Sequence, residues 1–318
     1  IDEKILFGWK FIQYEFFNQW QEIKKYANEK NISIIGDIPI YVSQDSCDVW
    51  SNKDEFLLDE KGYPTSVAGV PPDYFSKDGQ LWGNPLYDWD KMKKNGYKWW
   101  VDRISHMLKM FDGIRIDHFR GLESFWSVPS DAKTAASGKW VKGPGLDFIE
   151  EIKKAADGKM IIAEDLGEIS KDVEKLVEDS GFPGMRVLQF GFLSYDDNVH
   201  LPHNYIKNCV AYTGTHDNNT LLGYLWELDA DKKKYLLKYC GYENENWENG
   251  FDSIVRTLFA SSADTVILPI QDLLKYGSDT RLNTPGTSEN NWLYRITKDQ
   301  LSGIDKNYYR ELIKLYKR

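Results

Sequence analysis

The chain has 318 residues, of which 42% are hydrophobic and 14% aromatic, and its formal net charge is −9. This length suits one large α/β barrel or two ordinary domains, and the hydrophobic fraction supports a full core. The acidic balance argues against a nucleic-acid partner, which calls for a basic face, and no run of 18 uncharged apolar residues predicts a membrane span.

The amino-terminal residues do not resemble a signal peptide, because a basic region followed by an apolar one is absent. The sequence also lacks an initiator Met, so we expect a fragment or a processed product. Its cysteines, Cys47, Cys209 and Cys240, lie far apart and form no C-x-x-C pair. This usage favours a reducing cytoplasm over a disulfide framework.

Hydrophobic periodicity predicts six strands that alternate with helices along the chain. The predicted helices are 11–30, 91–111, 148–156, 170–180, 230–262 and 308–317. The predicted strands are 32–38, 113–117, 160–164, 185–190, 209–214 and 264–269. Ser170 is the expected N-cap of its helix, and the helix over 230–262 is interrupted around 241–250. This alternation is typical of a parallel α/β fold.

Two loop-rich excursions, 43–90 and 118–145, interrupt this pattern. Loops of this length inside a compact domain are usually functional. Many aromatic residues lie in these and other Gly/Pro-rich loops: Tyr74, Phe75, Trp82, Tyr87, Trp126, Trp140, Trp292 and Tyr294. Flat rings in loops suit the faces of sugars, and an aromatic core is the alternative interpretation.

Three strand-like runs each end at or near a carboxylate, namely Asp117, Glu164 and Asp217. In a (β/α) barrel the carboxyl ends of the strands converge on the face that carries the chemistry. A helix N-cap or loop anchor is the alternative role for each acid. His118 and His216 have no third ligand at metal spacing, so we predict no metal site. Three acids at this face point to cleavage of a glycosidic bond.

The surroundings of the acids favour different roles for them. A retaining glycosidase needs an ionised nucleophile and a protonated acid about 5–5.5 Å apart. Arg115 lies two residues before Asp117, so the two side chains share one side of the strand and the guanidinium favours an ionised nucleophile. Glu164, partly desolvated and near Asp117, is the better acid/base. Asp217, beside His216, could hold sugar hydroxyls and favour an oxocarbenium-like transition state.

Eight segments carry a resemblance to a known family. They are GDIPIYV (36–42), GVPPDYFS (69–76), LWGNPLY (81–87), RIDHFRG (115–121), AEDLG (163–167), LPHN (201–204), GTHDN (214–218) and RLNTPGT (281–287). The chain resembles the 4-α-glucanotransferases of the amylomaltase (disproportionating enzyme) family, relatives of the α-amylases.

The resemblance implies a (β/α)₈ TIM-type barrel with inserted loop subdomains. Residues 1–318 would be the catalytic barrel portion, with barrel strands 3 to 8, and the first two strands would be missing. A lid or insertion subdomain is expected at about 43–90, with smaller insertions at about 118–145 and 230–262. The missing amino-terminal segment would be a partner of the chain. Asn219 departs from the family, which often carries Asp there.

The resemblance also assigns roles to individual residues. Asp117 matches the family's nucleophile, Glu164 its acid/base and Asp217 its transition-state stabiliser. Other residues resemble its substrate-binding set: Asp37, Arg115, His118 and His216 at the central subsite, and Tyr74, Trp82, Asn283 and Pro285 in two loops that arch over the glucan. Such a lid could exclude water from the glycosyl-enzyme.

The expected activity is the transfer of α-1,4-glucan segments to the 4-hydroxyl of glucose or a maltooligosaccharide. The reaction would be a retaining double displacement in the cytoplasm, with no cofactor or metal. One alternative is an α-1,4-glucan hydrolase on the same fold, in which water takes the glycosyl group. The other is a non-catalytic glucan-binding fragment.

Overall fold

The computed structural model divides the chain into two compact units, Ile1–Phe182 and Pro183–Arg318, each of which is described by itself. The structure describes residues 2–72, 76–244, 246–287 and 289–318. All six predicted strands are present, in two parallel sheets of three strands each, and helices alternate with them. The predicted α/β class is therefore confirmed.

Unit 1 contains a parallel sheet in the order β1-β4-β7 and an antiparallel sheet in the order β3-β2-β5-β6. Its strands are β1 (Ile35–Ile38), β2 (Ser66–Val70), β3 (Gln80–Pro85), β4 (Gly113–Ile116), β5 (Ser124–Pro129), β6 (Lys139–Lys142) and β7 (Met160–Ala163). Its helices are α1 (Glu3–Glu29), α2 (Cys47–Ser51), α3 (Trp89–Lys94), α4 (Lys98–Met110), α5 (Gly145–Ala156) and α6 (Lys171–Ser180). Ser170 caps α6 as predicted, accepting a hydrogen bond from Val173 N.

The central strand β4 is buried along its whole length, as expected for a parallel strand covered on both faces. Trp100 of α4 and Phe148 of α5 are fully buried beside it in the main core. Their ring centroids lie 5.4 Å apart in an edge-to-face contact, a favoured geometry for aromatic pairs. This packing supports the strand that contains Arg115 and leads into Asp117.

The antiparallel sheet is built from both loop-rich excursions, since β2 and β3 lie within 43–90 and β5 and β6 within 118–145. The sequence did not predict these strands. Residues of β2 pair with both β3 and β5, and the register shifts between Val67 and Gly69. A Cβ at Gly69 would lie 2.5 Å from the carbonyl oxygen of Gln80, so this close approach requires glycine.

Helix α1 is longer than the predicted helix over 11–30, because Asp2 caps it at Lys4 N. It contacts α4 through its second half, where Trp20 Nε1 donates to the Met110 carbonyl at 2.9 Å. Its exposed apolar side chains are Ile5, Leu6, Phe7, Trp9, Phe11, Ile12, Tyr14, Phe16, Ile23 and Tyr26. Among the described residues, no helix is long and apolar enough to span a membrane.

Unit 2 contains the second parallel sheet, in the order β10-β9-β8. Its strands are β8 (Gly184–Val187), β9 (Cys209–Tyr212) and β10 (Thr265–Ile267). Its helices are α7 (Leu188–Gly191), α8 (Leu221–Glu227), α9 (Ala230–Tyr239), α10 (Phe251–Ala260), α11 (Ile270–Leu273), α12 (Lys298–Ser302) and α13 (Lys306–Tyr316). The predicted strand 185–190 is wrong beyond Val187, where the chain turns into α7. The predicted interruption of 230–262 is confirmed by the break between α9 and α10.

Candidate active site

Asp117 and Glu164 lie side by side at the carboxyl ends of two neighbouring parallel strands. Ile116 of β4 is in register with Ala163 of β7, so the next residue on each strand is one of the two acids. The strand pairing continues past them, because Glu164 N donates to the Ile116 carbonyl at 3.1 Å. His118 follows with φ 51° and ψ 48°, in the left-handed region, and turns the chain away from the sheet. The backbone therefore fixes both acids at one sheet edge.

Arg115 joins two carboxylates at this edge. Its Nε donates to Asp37 Oδ1 at 2.9 Å, and its Nη2 donates to Asp117 Oδ1 at 2.5 Å. Asp37 is directly opposite Arg115 in the β1–β4 register. The arginine side chain is only 11% exposed, whereas that of Asp117 is 43% exposed. A buried guanidinium therefore favours the charged form of a carboxylate that remains accessible. The predicted pairing of Arg115 with Asp117 is confirmed.

Glu164 is held by two backbone N–H groups. His118 N donates to its Oε2 at 2.6 Å, and Leu166 N donates to its Oε1 at 2.9 Å. Burial raises the pKa of Glu164 to about 7, and the Asp117 charge adds to the rise, while Arg115 and the two N–H groups oppose it. Glu164 therefore holds a proton part of the time near neutral pH, as a general acid must. The second lone pair of each carboxyl oxygen can accommodate that proton.

His118 packs edge-on against Trp82, with their ring centroids 4.9 Å apart. Burial, assisted by the Arg120 charge, lowers the pKa of His118 to about 3. The imidazole is therefore neutral at neutral pH and can both donate and accept a hydrogen bond. Trp82 is 37% exposed, so part of its ring remains open to a ligand. Tyr74, the other predicted residue of this loop, lies outside the described residues.

Asp217 lies in unit 2, in the loop that follows β9. Asn283 Nδ2 donates to its Oδ1 at 2.6 Å, and Arg281 Nη2 donates to its backbone carbonyl at 2.8 Å. His216 Nε2 lies 3.4 Å from its Oδ2. Pro285 is exposed in the turn beyond. The segment 281–287, predicted to arch over substrate, thus also holds Asp217 in place.

Sequence reasoning missed two residues that shape these surroundings, Arg281 and Asp272. Arg281 lies in the RLNTPGT segment, so its place in that motif was the available signal. Trp292, one of the loop aromatics predicted to suit sugar faces, contacts the His216 ring with 5.2 Å between the ring centroids. Asp272, buried below the Asp217 loop, gave no local signal at all. Across the described part of the chain, no three His, Cys, Asp or Glu side chains form a cluster that could hold a metal ion.

The fold and these side chains define an α/β protein that presents acids at the carboxyl ends of parallel strands. The family profile described as 4-alpha-glucanotransferase (glycoside hydrolase family 77) matches residues 2–301, and the chain belongs to this family.

Known relatives resemble most of the chain. It is 47% identical to a 4-alpha-glucanotransferase of Clostridium butyricum, over 98% of this chain and 64% of that protein. It is also 47% identical to a chloroplastic/amyloplastic 4-alpha-glucanotransferase of Arabidopsis thaliana, over 96% of this chain and 53% of that protein. The structure of an amylomaltase from Streptococcus agalactiae in complex with acarbose is similar with a TM-score of 0.92 and 43% identity, covering 96% of this chain and 62% of that one. The chain thus spans between about half and two thirds of the length of these relatives.

Proposed function

We propose that this chain is the catalytic portion of a 4-α-glucanotransferase that acts on α-1,4-glucans and maltooligosaccharides. The observation that carries the proposal is the pair of adjacent acids in opposite states: Asp117 beside Arg115, and Glu164 with a pKa of about 7. This is the combination of nucleophile and proton donor that a retaining displacement requires. The names of the relatives support the choice of substrate and of transfer over hydrolysis.

In the proposed first step, an Asp117 carboxylate oxygen attacks the anomeric carbon of the donor glucan. Glu164 gives its proton to the glycosidic oxygen as the C–O bond breaks, and the reducing-end segment leaves as an alcohol. A glycosyl ester on Asp117 and an ionised Glu164 result. In the second step Glu164 takes the proton from the 4-hydroxyl of an acceptor sugar, whose oxygen displaces Asp117. The anomeric configuration is retained because it inverts twice.

Asp217 is assigned the stabilisation of the oxocarbenium-like transition state. Its carboxylate is 44% exposed and is oriented by Asn283, so it can accept hydrogen bonds from sugar hydroxyls. Hydrogen bonds that strengthen in the transition state contribute several kcal/mol in such enzymes. We assign sugar contacts to the remaining predicted residues: Asp37, Arg115, His118, His216, Tyr74, Trp82, Asn283 and Pro285. Neutral His118 suits this role because it can serve a sugar hydroxyl as donor or acceptor.

We further propose that the reaction needs no cofactor or metal and takes place in the cytoplasm. The scattered cysteines support the reducing compartment. The steps above transfer only protons and a glycosyl group, so they require no redox partner. Activity that survives exhaustive dialysis against a chelator would support the metal-free reaction, and loss that added metal restores would contradict it.

Incubation of the chain with maltotriose, followed by chromatography of the products, tests the proposed function. Transfer predicts glucose together with a ladder of longer maltooligosaccharides. Glucose and maltose without a ladder would identify a hydrolase instead, and unchanged maltotriose would contradict catalysis by this chain. Asp117→Asn should abolish the ladder, whereas Asp131→Asn, an exposed acid of the same unit, should leave it unchanged.

A further inference from the structure

A single buried carboxylate ties together both ends of the loop that carries Asp217. Asp272 Oδ2 accepts a hydrogen bond from Thr213 Oγ1 at 2.5 Å, and its Oδ1 accepts one from Leu221 N at 2.8 Å. Thr213 directly follows β9, and Leu221 is the first residue of α8. The loop 214–220 lies between these two anchor points, so Asp272 sets the distance between its ends.

The residue before Asp272 secures the second segment that contacts Asp217. Gln271 Nε2 donates to the Thr280 carbonyl at 3.0 Å. Thr280 precedes Arg281, which in turn donates to the Asp217 carbonyl. Gln271 and Asp272 are only 2% and 1% exposed. Two neighbouring side chains of α11 therefore hold the loop of Asp217 and the segment that packs on it.

Burying the Asp272 carboxylate costs desolvation free energy. Within the described residues Asp272 forms no ion pair, and burial raises its pKa to about 6 although both hydrogen bonds oppose the rise. An apolar side chain of similar size would avoid this desolvation cost. It could not, however, accept two hydrogen bonds in different directions. The geometry is therefore that of a connector between two backbone segments.

We propose that Asp272 is a positioning residue that fixes the Asp217 carboxylate by linking Thr213 to Leu221. The proposal rests on the transition-state role given to Asp217 above. A carboxylate that acts only in the transition state affects kcat more than KM when it is displaced. Since a displacement of about 1 Å can cost about 100-fold in rate, we expect loss of this link to lower kcat about 10- to 100-fold.

Two variants at this position separate positioning from burial of charge. Asp272→Ala removes both hydrogen bonds. Asp272→Asn keeps both, because its Oδ1 can accept from Leu221 N while its Nδ2 donates to Thr213 Oγ1. Val255→Ala is the matched control, since Val255 is 1% exposed in the core of the same unit, lies on α10, and its truncation weakens that core without removing either hydrogen bond of Asp272.

With maltotriose as substrate, Asp272→Ala should lower kcat at least 10-fold with KM within about 3-fold. Asp272→Asn and Val255→Ala should keep kcat within about 3-fold. Equal losses in Asp272→Ala and Val255→Ala, or in Asp272→Ala and Asp272→Asn, would overturn the proposal. If Asp272→Ala does not fold, Thr213→Val decides: it removes one hydrogen bond at constant shape, and an unchanged kcat would overturn the proposal.

Hydrogen exchange keeps this test independent of the proposed function. If the unaltered chain transfers no sugar, the proposed function fails, and amide exchange across 214–221 then decides on the link. Faster exchange there in Asp272→Ala, with native rates in Asp272→Asn and Val255→Ala, would support the link between Thr213 and Leu221. Unchanged exchange in Asp272→Ala would refute it.

Discussion

Replacing Asp117 with Asn should lower the pKa of Glu164, because the Asp117 charge is the largest contribution after burial that raises it. The rise from an ordinary 4.5 to about 7 favours the protonated acid by about 3 kcal/mol. The pKa should therefore fall in the variant, while the burial that raises it persists. The substitution is isosteric, so we expect little change in packing.

The pKa can be followed directly by carbon NMR of a chain labelled at the glutamate carboxyl carbons, with Glu164→Gln to assign the signal. Asp37→Asn is the matched control, because Asp37 also pairs with Arg115 but is not among the groups that shift Glu164. A Glu164 pKa near 4.5 in the unaltered chain would refute the reasoning. So would the same pKa in the unaltered chain and in Asp117→Asn.

The same raised pKa has consequences for rate and stability. The first step of the proposed reaction needs protonated Glu164, so kcat/KM should fall as the pH rises through about 7. A carboxyl group whose pKa is raised on folding contributes stability that is present below about 4.5 and lost as the pH rises through about 7. Glu164→Gln should remove that loss, which amounts to about 3 kcal/mol at pH 8, as measured by urea unfolding.

Three further predictions follow from the other contacts. Arg115→Ala should raise the pKa of Glu164 further, because the guanidinium opposes the rise. It should also lower kcat at least about 100-fold in the maltotriose assay. A Glu164 pKa lower than that of the unaltered chain would contradict the first expectation. Asn283→Ala removes the 2.6 Å hydrogen bond to Asp217 and should lower kcat about 10-fold. It should lower the free energy of unfolding by about 1 kcal/mol or less. An unchanged kcat would contradict this role of Asn283. Asp272 has its pKa raised from 3.8 to about 6, so the chain should lose about 3 kcal/mol of stability as the pH rises through 6; urea unfolding of Asp272→Asn should lack this loss.

The parallel strands were predictable because each is encoded by a short run of neighbouring residues. The runs that end at Asp117 and Glu164 are apolar and β-branched, which is typical of a strand buried on both faces. The spacing of Arg115 and Asp117 also predicted their contact, since residues two apart share one side of a strand. The raised pKa of Glu164 was predictable from its expected burial and from the nearby charge of Asp117.

The antiparallel sheet was missed because its evidence is not local. Strand β2 contains Gly69 and pairs with β5, whose residues lie about 60 positions further along the chain. Glycine weakens the local preference for a strand. The reason for a glycine at position 69 is the close approach of the Gln80 carbonyl, which lies outside its local sequence pattern but next to it in the sheet. The link that Asp272 makes to Thr213 is hidden for the same reason, since the two residues lie 59 positions apart in the chain. Contacts of this kind follow from the folded arrangement, which periodicity cannot supply.

Asp117 and Glu164 suit the opposite roles proposed for them because their surroundings differ more than their side chains do. Register alone puts Asp117 beside Glu164. Arg115 donates a hydrogen bond directly to Asp117, whereas its charge acts on Glu164 only at a distance. Burial is the largest influence on the pKa of Glu164. The negative charge that suits Asp117 to the proposed role of nucleophile therefore also helps to keep a proton on Glu164, since an ionised Asp117 disfavours a second negative charge beside it. Loss of the Asp117 charge should therefore remove the proposed nucleophile and also lower the fraction of Glu164 that carries a proton, so Asp117 and Glu164 substitutions should be strongly non-additive in their effects on rate.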